Sequence, residues 1–357
     1  MLLEEEGRKP KHFMWIIPLV LVLSVVLFVL LINVFSFSSQ ASTYSVYKYK
    51  HNYQKYTANS PILRIVMVSD LDGKNKKGDL WYSDIVTGLL YKQGEKYSYI
   101  QEETFQVTSP INDGKRGLEL SEAVNFNDEI LTFDDRTGLV GAIDVDGRIL
   151  VPKTIIRDGD MKEEKPMKIE WATVKGKEVY IGGIGKNYTT PRGEFRHRGP
   201  LFVKRMNENG RVIYEDWGKR YQDINLRLGI NTEDGYSIFE AVTYSEDYDI
   251  WTFAPRKCSN ERYDDELDET RGCGKIVMTS DFKNYRVVAD KQFVKERGFS
   301  SIKNLPFDES KLLYLKSYEV NGVTMTYMGM MDFDGNVLMK DTKISDLKLE
   351  GVEFINL

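Results

Sequence analysis

Histidine is nearly missing from this chain of 357 residues: His12, His51 and His197 are the only three, and the first two precede the first strand-like run. No Ser-His-Asp set can be assembled from them, and no G-x-S-x-G elbow is present. Cysteine is scarcer still, with Cys258 and Cys273 alone. A zinc site would need further His or Cys partners close by, and none is there. The two cysteines instead flank the polar loop CSNERYDDELDETRGC, short enough to be closed by one disulfide in an oxidising compartment. Positive charge is not in excess either: the net charge of -5 argues against a nucleic-acid partner, since sequence-independent phosphate binding needs a basic surface. The P-loop spacing GxxxxGK[ST] is absent. The run GGIGK, Gly182–Lys186, reads as a turn, leaving Lys186 as a candidate for holding substrate.

Long apolar runs are lacking with one exception. Phe13 to Ile32 carries no charge and matches the about 20 residues that a helix needs to cross the hydrocarbon core of a bilayer. Arg8, Lys9 and Lys11 precede it, and the next basic residue is Lys48. The excess of basic residues before the span places residues 1–12 in the cytoplasm, 13–36 as a signal-anchor, 37–61 as a stalk and 62–357 in the lumen or outside, a single-pass type II arrangement in the secretory pathway. The small-residue run SSQAS, Ser38 to Ser42, leaves cleavage and secretion as the alternative. Asn187-Tyr188-Thr189 is an N-glycosylation acceptor in such a compartment.

What fills the rest is short and alternating. ILRIVMVSD, EILTFDD, EVYIGGIG, DIWTFAPR, KLLYLKSY and TYMGMMDFDG are each bounded by Gly, Asp or Asn, and a helical pattern is confined to about one turn near Trp217 to Leu228. The domain is therefore expected to be all-β. Four segments, LSEAVNFNDEILTFDD, IEWATVKGKEVYIGGIG, FEAVTYSEDYDIWTFAP and FSSIKNLPFDESKLLYLK, repeat one plan of strand, polar turn and aromatic-rich strand; a fifth start, LEGVEFINL, stops at the C-terminus. The opening polar residue recurs every roughly 50 to 70 residues as Ser121, Glu170, Glu240, Ser300 and Glu350, the size of a propeller blade. The spacing predicts a five-bladed β-propeller whose ring is closed by pairing the N-terminal ILRIVMVSDLD with the C-terminal strand.

In a propeller the equivalent starts of the innermost strands converge on one axis, so three glutamates and two serines would meet there. Carboxylates so placed repel unless protonated or bridged, and a purely oxygen-bearing ring suits Ca²⁺ better than Zn²⁺. Beside that mouth fall Asp70 and Asp72 in SDLD, Asp134, Asp135 and Arg136 in DDRTG, Asp158 and Asp160 in RDGD, and Arg256 in APRK. Carboxylates can orient a water, and arginine forks match phosphate oxygens. The plainer reading of the same motifs is that Asp-Gly and Asp-Arg-Thr-Gly are hairpin turns.

The segments IVMVSDLD, RGLELSEAVNFNDEILTFDDRTGLV, KIEWATVKGKEVYIGGIGK, FAPRKCSNERYDDELDETRG, RGFSSIKNLP and KLEGVEFI together resemble, in order from Ile62 to the C-terminus, the calcium-activated nucleotidase and salivary apyrase family. The resemblance implies a Ca²⁺-dependent enzyme that hydrolyses nucleoside di- and triphosphates to release inorganic phosphate. It carries the calcium ligands onto Ser121, Glu170, Glu240, Ser300 and Glu350, and the active-site acids and bases onto Asp70, Asp134, Asp135, Arg136 and Arg256, with Asp72 and Lys186 as further substrate-binding candidates. It also suggests a homodimer. The rival expectation is a non-catalytic, Ca²⁺-stabilised propeller that binds an anionic or protein ligand.

Overall fold

The computed structural model describes residues 62–355; the expected tail, signal-anchor and stalk lie outside the described residues. Among the described residues no helix is long and apolar enough to cross a membrane.

Among the described residues, four four-stranded antiparallel sheets and one five-stranded sheet, whose fifth strand is the two-residue Lys76–Lys77 paired with Leu80 and Trp81, form five blades, as the repeat predicts. Blade I is built from both ends of the chain: its innermost strand is Leu349–Ile355, followed outward by Ile62–Ser69, Leu80–Gln93 and Lys96–Ser109. The closing pair runs from Arg64 opposite Ile355 to Ser69 opposite Leu349. Blades II to V each arise from consecutive hairpins and begin, from the inside, with Leu120–Phe126, Trp171–Lys175, Tyr236–Ser245 and Arg297–Leu305. Successive innermost strands touch one another around the ring, the last meeting the first.

The hairpins follow from turn chemistry. Asn127 and Asp128 both have positive φ, as do Asn321 and Gly322, the backbone of a type I′ turn whose twist matches that of the strands it joins. The cores lie between blades. Leu63, Ile65 and Met67 of blade I pack with Leu313, Leu315 and Met328 of blade V, and Trp171, Trp217, Phe239 and Trp251 fill the space between blades III and IV. Each fully buried apolar side chain contributes about 1.5–3 kcal/mol. Where one helical turn was expected there is an eleven-residue helix, α1, Gly218–Leu228, burying Tyr221, Ile224 and Leu228 and ending at Gly229 with φ 87°. Tertiary packing against Trp217 extends it beyond what its polar sequence suggests. The Cys258–Cys273 disulfide is present.

Candidate functional site at the mouth of the propeller

A register break places the ring. In blade II, Leu120 opposes Asp134 and Glu122 opposes Phe133, which skips Ser121. The same skip falls on Glu240 between Phe239 and Ala241, on Ser300 between Phe299 and Ser301, and on Glu350 between Leu349 and Gly351. Four of the five sequence-selected positions are thus β-bulge residues, a device that re-aims a side chain out of the strand's alternation. The fifth, Glu170, immediately precedes its strand and donates its N–H to the Gly182 carbonyl at 2.9 Å. All five are at most 8% exposed.

Cations neutralise the buried carboxylates. The Arg256 guanidinium, through Nη1, binds Glu240 and lies 2.8 Å from Glu350 Oε1; its Nη2 lies 2.7 Å from Glu319 Oε2. Lys168 binds both Glu170 and Asp135. Burial pushes the Glu170 carboxyl up to about 8, against the pull of Lys168 and with the repulsion of Glu240. Burial likewise raises Glu350 well above the carboxylate range, opposed by Lys348 and reinforced by Glu240. The Ser300 hydroxyl reaches the Leu349 carbonyl at 3.4 Å, whereas the buried Ser121 hydroxyl has no hydrogen-bond partner. A partnerless hydroxyl, two carboxyls biased towards protonation and an all-oxygen donor set fit a hard cation.

In each blade the second strand runs back to the rim where the innermost strand begins. Asp70 therefore follows Ile62–Ser69, Asp134–Arg136 end Glu129–Asp134, Lys186 follows Glu178–Gly182, and Arg256 and Glu319 lie near the ends of Ile250–Ser259 and Asp308–Val320. Burial favours protonation of Asp70, but Lys348, 2.7 Å from Oδ2, outweighs it together with the Asp72 N–H at 2.9 Å, and the carboxyl is held below its ordinary value. Asp72, raised by burial and by Asp70, meets Lys348 at 3.2 Å and Arg116 at 3.3 Å. Glu119 is pushed up to about 7 by burial and by Asp70 and Asp135, although Arg116 binds it at 2.6 Å. One continuous set of charges thus runs from Asp135 and Lys168 through the ring to Lys348, Asp70, Asp72 and Arg116.

The DDRTG motif divides. The Asp134 carboxylate accepts the N–H groups of Leu118, Arg136 and Thr137 and the Thr137 hydroxyl, which makes it the organiser of its own turn. Burial and Asp135 raise it to about 6. Asp135 keeps one buried oxygen, Oδ1, without a partner, and the Arg136 guanidinium pairs with Asp113 at the rim while its Nε has none. Lys186 bonds the Asn187 carbonyl at 3.2 Å and the Thr189 hydroxyl at 3.0 Å and lies 4.1 Å above the Tyr263 ring, with no contact to the charged set; Asn187 beside it is exposed. Asp158 is buried 3.7 Å from His197, and Asp160 pairs with Lys162 in solvent. Neither joins the cluster.

Sequence reasoning missed Lys168, Lys348, Arg116, Glu119 and Glu319. A signal for three of them exists. MKIE, LKLE and LELS place Lys168, Lys348 and Glu119 two residues before Glu170, Glu350 and Ser121, one offset repeated at the entries of three innermost strands.

The Apyrase family profile matches residues 69–355. The apyrase of Cimex lectularius is 37% identical over 319 residues, covering 84% of this chain and 86% of that one. The soluble calcium-activated nucleotidase 1 of Rattus norvegicus is 36% identical over 299 residues, 82% of this chain and 73% of that one. Apyrase apy-1 of Caenorhabditis elegans is 32% identical over 327 residues, 88% and 89% of the two chains. With its matched segment spanning all five blades and the charged mouth, the chain belongs to the Apyrase family.

Proposed function

We propose that this protein is a Ca²⁺-dependent nucleotide phosphohydrolase that releases inorganic phosphate from nucleoside di- and triphosphates. The observation that carries the reading is that Ser121, Glu170, Glu240, Ser300 and Glu350 are all buried at the entries of the five innermost strands, four of them on equivalent bulges, with the Ser121 hydroxyl unpartnered. These five residues would hold the Ca²⁺. When bound, Ca²⁺ supplies Lewis-acid charge that favours attack of water on phosphorus.

The chain's own groups divide the remaining work. Arg136 supplies a forked donor for the terminal phosphate oxygens, and Arg256 adds positive charge beside them while its Nη groups hold Glu240, Glu350 and Glu319. The two charges offset the charge spread over those oxygens in the transition state. Lys348 and Arg116 keep Asp70 and Asp72 oriented at the rim. Asp70, held ionised by Lys348, and Asp135, with a free oxygen, are the acceptors for a proton of the attacking water. Asp134 supports them through its turn. Lys186 and Asn187 lie farther along the rim, where Lys186 is available to the distal part of a substrate and Asn187 to a glycan.

A lumenal or extracellular setting, reached through the anchor at 13–36 or by its cleavage, agrees with the Cys258–Cys273 disulfide. The test is calorimetric titration of the full-length protein and its Glu170→Gln variant with Ca²⁺, beside phosphate release. The proposal expects saturable Ca²⁺ binding that the variant weakens at least tenfold, with activity falling in step. Ca²⁺ and nucleotide binding without phosphate release would favour the non-catalytic propeller.

A further inference from the structure

Directly beneath the ring, a second layer of polar side chains crosses the channel. Glu122 follows Ser121 and Ser301 follows Ser300, and both are fully buried. The Ser301 hydroxyl faces both Glu122 carboxylate oxygens, at 3.0 and 3.2 Å, and accepts the Val352 N–H at 3.2 Å. Lys303 Nζ lies 3.3 Å from Glu122 Oε2 and donates to the Ala172 carbonyl at 3.2 Å. The Ala123 N–H donates to Glu122 Oε1 at 2.9 Å, and the Thr132 hydroxyl donates to the Glu122 carbonyl at 3.0 Å. Blades II and V are not neighbours, for the innermost strand of blade I lies between them. Glu122 spans that strand at Gly351, where an added Cβ would stand 2.6 Å from the Glu122 Cα.

We propose that Glu122, Ser301 and Lys303 form a cross-brace of positioning residues that sets the spacing of the cation ring above it. The inference rests on the proposed Ca²⁺ role of that ring. The three side chains tie together strands of blades I, II, III and V at points one to three residues from Glu350, Ser121, Glu170 and Ser300. Ligands on separate strands hold their spacing only if the strands are fixed relative to one another, and groups that orient ligands typically govern about 10–100-fold in metal affinity. A bulge is locally unpaired backbone, so the ladder alone does not fix it. Buried, hydrogen-bonded charges such as the Glu122–Lys303 pair contribute little net stability against apolar substitutes; geometric specification of the layer above is what they add.

The experiment measures the Ca²⁺ dissociation constant of full-length wild-type, Ser301→Ala, Ser301→Thr and Lys303→Met proteins by calorimetry, with melting temperatures in chelator. Expected is about tenfold weaker Ca²⁺ binding in Ser301→Ala and Lys303→Met, recovery in Ser301→Thr, which keeps the hydroxyl, and a Ser301→Ala melting temperature in chelator within a few degrees of wild type. Unchanged Ca²⁺ affinity in Ser301→Ala or Lys303→Met, whatever the melting temperature, would overturn the brace and leave the ring reading intact. A wild type that binds no Ca²⁺ would overturn the ring reading and the brace with it.

Discussion

Arg256 Nη1 lies 2.8 Å from Glu350 Oε1 and also binds Glu240, so one guanidinium joins carboxylates of blades IV and I across the intervening blade V. The crossing depends on Gly298 in blade V, where a Cβ would stand 2.2 Å from the Arg256 carbonyl oxygen. Arg256→Met leaves two buried carboxylates without their cation. Removing one partner of a buried pair costs about 3–5 kcal/mol, so the variant should melt well below wild type in chelator and recover part of that loss in Ca²⁺. Thermal melts in the two buffers check this.

Arg136 makes the opposite prediction. Its ion pair, with Asp113, lies at the solvent-facing rim, and such pairs contribute about 1 kcal/mol or less. Arg136→Ala should keep the wild-type melting temperature within a few degrees while kcat/KM for a nucleoside diphosphate falls by about 100-fold or more. Steady-state kinetics with a melt on the same sample separate the two effects.

The contrast shows what the sequence makes legible. Ser121, Glu170, Glu240, Ser300 and Glu350 stand out because a propeller repeats one position five times, and a repeat survives in the letters. The bulges that aim them do not, because inserting one residue merely shifts a two-residue alternation that continues on either side. Lys168 and Lys348 carry a readable K-x-E spacing, yet at strand entries a lysine looks like a solvated end. Arg116 lies on a loop, and Glu319 ends a second strand whose equivalents in the other blades carry different residue types, so contact alone identifies them. Nothing in DDRTG distinguishes Asp134, which closes the turn, from Asp135, which keeps a free oxygen.

Gly351→Ala should disrupt the closure of the ring. The added Cβ would meet the Glu122 backbone at 2.6 Å, a contact that no rotamer change relieves, because its partner is main chain. Overpacking of this kind costs about 1–3 kcal/mol or more. Denaturant unfolding should show a lower midpoint; an unchanged midpoint would contradict the packing described for blades I and II.

Lys204 gives a pH dependence away from the ring. Its side chain is fully buried, donates to the Gly159 carbonyl at 2.8 Å, and is pushed down to about 8 by burial against the attraction of Asp158 and Asp160. The unfolded chain binds more protons than the folded one between that value and the ordinary lysine range near 10.5, so stability attributable to this group rises with pH across that interval. Relative to Lys204→Met, wild type should therefore gain stability from pH 8 towards pH 10. A difference between the two proteins that stays flat, measured by chemical denaturation, would contradict the assignment.

The disulfide closes the loop that carries Tyr263, on whose ring Lys186 rests. A cross-link over a loop of this length contributes about 3 kcal/mol in the chain-entropy account. The Cys258→Ser/Cys273→Ser double variant should melt several degrees lower, while the catalytic rate at the mouth stays within about twofold at temperatures where it is folded.

The most direct measurement is phosphate release by the full-length protein from ADP, ATP, UDP, GDP and AMP in Ca²⁺, in Mg²⁺ and in chelator. The account predicts release from the di- and triphosphates in Ca²⁺, loss of that release in chelator, and AMP left intact. Release that persists undiminished in chelator, or none from a folded protein saturated with Ca²⁺, would contradict it.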